Sequence, residues 1–479
     1  MESLEVRQPT LARPSIVKRI WRASVAGYFG GEQIALGGTS FGEPEGKPEQ
    51  EAAAGITRQE AWTNLVLALI GGMVCLLPNI MGQCGYLLSP PLLLLSALVI
   101  IRMGGLICQA CELVEESTNA RPGSLNSYEE LARAVNMYKV VLVTKNTVMI
   151  ACIMLSQTFL TGALVGLIPV KKVSKPLLRW SVIMPMFCVM ALLKDLTQLS
   201  KFASLGMMGL AVELLGLLIG CLLGSFMEHD PPKSYSMMPP EGHLSSMVGI
   251  TLSAFIFAFA ILATVPSVRA QMQKPDEMPL VVRDAILFTV LLYEIIMTWG
   301  YAAYGEQVNE HLVLQISESF PVFGTVPSLG LFVNGAITTP LFFYCLFSVL
   351  EATGADACRT QGTPPNTVAR LLLVLILTTA GWAMPGLLAV IGVFSSVFCV
   401  CNNIWFPILF YHKLRRRAQH PVPAMSLALN AIIAILGVLV FIYGLRGSLE
   451  ELSKEMGWNA SSNSSNATNS SNATNVVAH

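Results

Sequence analysis

The chain of 479 residues is 53% hydrophobic and 13% charged, with a formal net charge of zero and a mean hydropathy of +0.59. Ordinary soluble proteins carry about 25% charged residues, so this composition calls for lipid around the chain and excludes a plain soluble domain. Zero net charge argues against a nucleic-acid partner.

Residues 1–58 read as a largely disordered cytosolic tail. Its stretch 29–55 is rich in Gly, Glu and Ala. Before it, Ile16, Ile20 and Trp21 fall near one helical face, with Lys18, Arg19 and Arg22 beside them. That segment either lies on an anionic leaflet or is a solvated basic tail. No cleavable signal peptide is expected, because the first long apolar run starts too far into the chain.

Eleven apolar segments reach the ~20 residues needed to cross a hydrocarbon core of ~30 Å. They are 62–84, 88–113, 140–168, 177–194, 202–226, 245–266, 279–301, 325–350, 368–387, 389–411 and 425–446. The expectation is an all-α integral membrane protein with a transmembrane domain over 59–446. Lys and Arg in short loops place the N-terminus in the cytosol. The loop after the tenth span carries HKLRRR (His412 to Arg417), and that after the sixth carries Arg269, Lys274 and Arg283. The loop after the seventh has three Glu and no Lys or Arg, whereas KKVSK (Lys171 to Lys175) disagrees. An odd number of spans then puts the tail 447–479 outside the cytosol. That tail carries N-glycosylation sequons at Asn459, Asn463, Asn466, Asn469 and Asn472, which are used only on the lumenal or extracellular side. Plasma membrane and endomembrane or vacuole are both compatible with it.

The first span contains LIGGMVCLLPN, residues 69–79. Gly inside a helix costs roughly 1 kcal/mol and Pro about 3 kcal/mol, and lipid offers no water to repair the backbone. Gly71, Gly72 and Pro78 therefore mark either close packing with a kink or a discontinuous helix around a polar solute. Transporters built from inverted repeats pair such breaks in their two halves. With 62–226 as one repeat and 245–411 as the other, the partner is the sixth span, which runs into Thr264 and Pro266. The segment 425–446 is then an addition outside the repeats.

Five stretches resemble the amino acid/auxin permease family. In the sixth span Phe257, Phe259, Pro266, Met272 and Pro275 match its pattern, and in the first Gly71, Leu77, Pro78, Gly85 and Tyr86 do. Asn126 to Val135, Leu192 to Gly206 and Tyr301 to Val308 are similar to three further family segments. The resemblance covers roughly 58–446. It implies a LeuT-like fold of five plus five helices with one extra C-terminal helix, and transport of amino acids. The family's second Gly falls on Met73. The Asn that helps bind sodium in one branch falls on Leu67, with Asn64 a turn earlier. This points to a proton, or no ion, rather than sodium.

An amino acid is a zwitterion, so a mid-membrane site must replace water at both ends. The half-helix from Gly71 and Gly72 through Met73 and Val74 can offer N–H groups to the carboxylate. Carbonyls at Phe259, Ala260 and Ile261 can accept from the ammonium. Phe257, Phe259 and neighbours from spans three and eight would line the pocket. Thr338 and Thr339 stand where the family makes ion or substrate contacts, and a back-bond to the preceding turn is the plainer reading. Ionisable residues inside spans are functional candidates: Glu213, Glu294, Arg102 and Lys145. Glu294 is taken as the proton site, and a buried pair or snorkelled head is the alternative for each.

An intramembrane enzyme needs paired Asp, a Ser/His pair or a metal cluster inside the spans, and none is there. The lone CxxC (Cys108, Cys111) and CxC (Cys399, Cys401) lack the second pair that zinc needs. No cofactor is called for, and no P-loop suggests an ATP-driven pump. The remaining rival is an amino-acid sensor that signals through the N-terminal tail.

Overall fold

A computed structural model describes residues 55–168, 174–192, 203–227, 233–239, 242–353, 367–383 and 386–456. The N-terminal tail, the five sequons and most of KKVSK lie outside the described residues. Within them the chain is helical, without strands apart from an isolated bridge between Ile56 and Met272. Each of the eleven expected segments contains helix among the described residues.

The first span begins at a capping box. Glu60 N–H donates to Thr57 Oγ1 (3.3 Å) and Thr57 N–H donates to Glu60 Oε2 (2.8 Å). Helix α1 (Arg58–Leu69) stops at the glycine pair, a 3₁₀ turn covers Gly72–Cys75, and α2 (Leu77–Cys84) follows. Pro78 falls in the first turn of α2, where its missing N–H is not needed. Gly85 closes α2 at φ 89°, and a Cβ there would stand 2.6 Å from Met237 O, so glycine is required on both counts.

Next come α3 (Ser89–Ser117), the short α4 (Tyr128–Ala134), α5 (Tyr138–Leu167), α6 (175–191) and α7 (Ala203–Ser225). The sixth span is α8 (Leu244–Ala258), a 3₁₀ turn (Leu262–Thr264) and α9 (Val265–Gln271). Then follow α10 (Met278–Tyr304), α11 (Leu312–Ser319), α12 (Pro321–Thr353) and α13 (Thr367–Ala383). The last two are α14 (Leu387–Arg417) and α15 (Ala424–Glu455), both continuous through π-helical turns. Among the described residues seven stretches are long and apolar enough to cross a membrane: α3, α5, most of α7, the α8–α9 stretch, the first part of α12, α14 and α15. Helix α15 is the most exposed of these, with 22% of its apolar window buried.

Close approach between helices runs through glycine, as membrane packing favours. Along α7, a Cβ on Gly216 would meet Pro327 of α12 at 2.7 Å, and one on Gly220 would meet Ile316 of α11 at 2.7 Å. A Cβ on Gly330 of α12 would meet the backbone N of Glu213 at 2.4 Å. Helices α7 and α12 therefore touch backbone to backbone.

Two charges counted as loop charges are not in loops. Arg269 is fully buried in the last turn of α9 and makes a two-pronged bond to Glu115 of α3 (2.8 and 2.9 Å). Glu115 also accepts from Gly123 N–H (2.8 Å), so the buried charges satisfy one another. Arg283 lies in α10 and pairs with Asp284 (2.8 Å). The HKLRRR stretch forms the end of α14, where cations offset the carbonyl dipoles. Of the candidate cations inside spans, Lys145 pairs with Glu129. Arg102 donates to Ser426 Oγ (2.6 Å), tying α3 to α15.

Candidate functional site

The two interruptions lie beside one another and differ in their hydrogen bonds. At the first, Ile70 N–H still reaches Val66 O (3.0 Å), and Tyr293 OH donates to Leu69 O (2.7 Å). Val74 N–H reaches Gly71 O (3.1 Å). The N–H groups of Gly71 and Gly72 have no hydrogen-bond partner among the described residues. At the second, Phe259 N–H bonds Phe255 O (3.1 Å), Ala260 N–H bonds Phe257 O (3.0 Å) and Ile261 N–H bonds Phe259 O (2.8 Å). That chain of short-range bonds closes the break on itself.

Between them is a cavity of about 190 Å³. A cavity of about 150 Å³ is known to hold benzene, so this one admits a solute of amino-acid size. Leu67 to Met73, Phe257, Ala258, Ala260 and Ile261 line it. So do faces of α5 (Ser156, Phe159), α7 (Met207) and α12 (Asn334, Thr338). The lining is apolar with a few hydroxyl and amide groups, and no charged side chain stands on it among the described residues.

A family model described as transmembrane amino acid transporter protein matches residues 54–450. The chain belongs to this family. Among its relatives, the amino acid transporter AVT1D of Arabidopsis thaliana is 23% identical over 217 residues, 44% of this chain and 38% of that one. AVT3C of the same plant is 23% identical over 197 residues, 41% and 43% of the two chains. Vacuolar amino acid transporter 4 of Saccharomyces cerevisiae is 30% identical over 96 residues, 20% and 13%. The matched stretch thus spans about two fifths of the plant relatives. Among solved structures, Mhp1, a nucleobase-cation-symport-1 family transporter in a closed conformation, superposes with a TM-score of 0.52. It is 14% identical, over 88% of this chain and 97% of that one. The shared architecture is the LeuT-like transporter fold that the sequence pointed to, and relatives and fold are those of transporters, not enzymes.

Against this family member's expected site, Gly71, Gly72, Met73, Phe257, Ala260, Ile261 and Thr338 do stand on the cavity. Val74 is buried behind it, and Phe259 faces Tyr293 instead (ring centroids 5.7 Å). Thr338 Oγ1 donates to Asn334 O (2.9 Å), the plain back-bond. Asn64 and Thr339 are buried off the lining, and their side-chain polar atoms have no partner among the described residues. Glu294 is not brought to the cavity and sits half-buried on α10.

The sequence reading missed Phe159, Ser156, Met207 and Asn334. Asn334 carried a usable signal, a lone amide in an apolar span. It also missed His311. Its ring stands edge-on to Phe159 (5.2 Å) and against Gly162, so it backs the aromatic wall of the cavity. Burial pushes the His311 imidazole down to about 4, helped by the positive charges of Lys175 and Arg179. One residue earlier, Glu310 accepts from Leu387 N–H (3.1 Å) and Leu388 N–H (3.4 Å) at the start of α14. Burial raises the Glu310 carboxyl above its ordinary range, and those two N–H groups pull it back down.

Proposed function

We propose that this chain is a secondary transporter of amino acids that holds its substrate between the two interrupted helices and exposes it to each face of the membrane in turn. The carrying observation is the pair of unbonded N–H groups at Gly71 and Gly72 beside the cavity. They suit a carboxylate, and the carbonyl of Ala260, the one of Phe259 to Ile261 with no donor among the described residues, suits an ammonium. Phe257, Ala260 and the α5 wall would set the side-chain size. Leu67, in place of an ion-binding Asn, favours a proton or no ion over sodium. The cytosolic N-terminus and the glycosylated outer tail 447–479 belong to the same reading. The yeast relative's vacuolar name makes an endomembrane the first place to look.

Uptake of a radiolabelled pool of proteinogenic amino acids into proteoliposomes, with sodium and pH gradients imposed separately, tests the proposal. Uptake that responds to pH and not to sodium is the expected result. A chain that binds amino acids but never moves them would make it a sensor instead.

A further inference from the structure

Glu213 sits at mid-length on α7 and is fully buried. Oε1 accepts from the Cys75 thiol (3.6 Å), in the turn that follows the first break. Oε2 accepts from Asn334 Nδ2 (3.4 Å), on the α12 face that lines the cavity. The one carboxyl thus touches the interrupted helix, the α7–α12 frame and, through Asn334, the substrate cavity.

Two long bonds from a thiol and an amide are weak compensation for a buried negative charge. Among the described residues no cation pairs with it. Glu213 is the lone charged residue of α7, and the turn Gly72–Cys75 has none. On the packed neighbours, α11 carries Glu318 and α12 carries Glu351 near its far end. Helix α10 carries Arg283, already paired with Asp284, and the half-buried Glu294. The other titratable groups on these faces include the Cys75 thiol, Cys221 of α7 and Tyr304 of α10, whose ring lies against Gly224. A carboxyl so placed carries a negative charge only at a desolvation cost. It becomes a charge needing water or a cation when the turn draws away.

We infer that Glu213 is the proton-binding site of this transporter: it holds a proton while the cavity is closed and gives it up when the first break separates from α7. This rests on the transport reading. The carboxylate gains a proton from the aqueous face of higher acidity, and the same O–H bond breaks toward water on the other face. Because the closed form takes only the protonated carboxyl, substrate and proton favour the same state and their binding is coupled.

The test uses the full chain in proteoliposomes. A pH difference of one unit is worth about 1.4 kcal/mol, so one proton per substrate concentrates the labelled pool up to about tenfold. Glu213→Gln is expected to abolish that accumulation while leaving exchange at equal pH within about twofold. Glu213→Asp, which keeps a carboxyl, is expected to retain both. Loss of both activities in Gln with both kept in Asp also supports the site. Undiminished pH-driven accumulation in Glu213→Gln overturns it, as does loss of both activities in both variants. A wild-type chain that exchanges amino acids but ignores the pH gradient overturns it too, and leaves the transport reading standing. If the wild type exchanges nothing, the transport reading fails, and infrared spectroscopy decides the site alone. A protonated-carboxyl band that disappears in Glu213→Gln keeps it, and absence of such a band from the wild type removes it.

Discussion

The two interruptions are opposite in kind. The first is made of glycine and leaves main-chain donors open beside the cavity. The second is made of Phe, Ala and Ile, whose three N–H groups are all bonded to preceding carbonyls. Sequence chemistry explains the difference. Glycine permits a turn without side-chain cover, whereas bulkier residues hold a short 3₁₀ arrangement. The first break therefore offers backbone to a solute, and the second offers side-chain shape.

That contrast can be broken most directly at Gly71. A Cβ there meets nothing within 4 Å, so Gly71→Leu should fold and fill the cavity. Uptake is expected to fall at least tenfold, about 1.4 kcal/mol, with little change in melting temperature. Wild-type uptake in this variant would move the site elsewhere. The next largest effect concerns the wall behind the first break. His311 titrates lower folded than unfolded (about 4 against 6.5), so its contribution is complete above pH 6.5 and lost as pH falls toward 4. Thermal melts should show up to about 3 kcal/mol of destabilisation over that window, and His311→Gln should remove this part of the pH dependence.

Gly72 differs from its neighbour. A Cβ there would stand 2.5 Å from Phe159 Cδ2, so Gly72→Ala should cost about 1–3 kcal/mol by overpacking. Adding Phe159→Leu should recover most of it in a double-mutant melt, and failure to recover would place the strain elsewhere. The second break should respond most gently. Ala260→Val adds volume to the lining without touching a bonded N–H. It should raise KM for larger amino acids by about tenfold and leave glycine uptake unchanged. Equal losses for all substrates would give the second break a backbone role after all.

Both breaks were legible because the cost of Gly and Pro in a helix is local and residue-specific. The walls supplied by α5 and α7 were harder to read. A helix that is apolar on every side marks no face for the cavity, so Phe159 and Met207 looked like any lipid-facing residue. The choice between Glu213 and Glu294 had the same cause. Each is a single carboxyl in an apolar helix, and only the approach of Cys75 and Asn334 separates them. Arg269 was misread as a loop charge because its partner Glu115 is 154 residues away in sequence.

The ring of Pro78 fills the place where Gly300 would carry a side chain, its Cγ lying 2.3 Å from an ideal Cβ. Any larger residue at 300 would push the two helices apart, so glycine sets how closely α2 and α10 pack. Helix α1 is fastened to α10 as well, by the Arg58–Asp284 ion pair (2.7 Å), the Tyr293 hydroxyl and the edge contact of Trp62 with Phe288. Both halves of the first span are thus anchored on one helix, and the glycine pair presents its open main chain between two fixed ends.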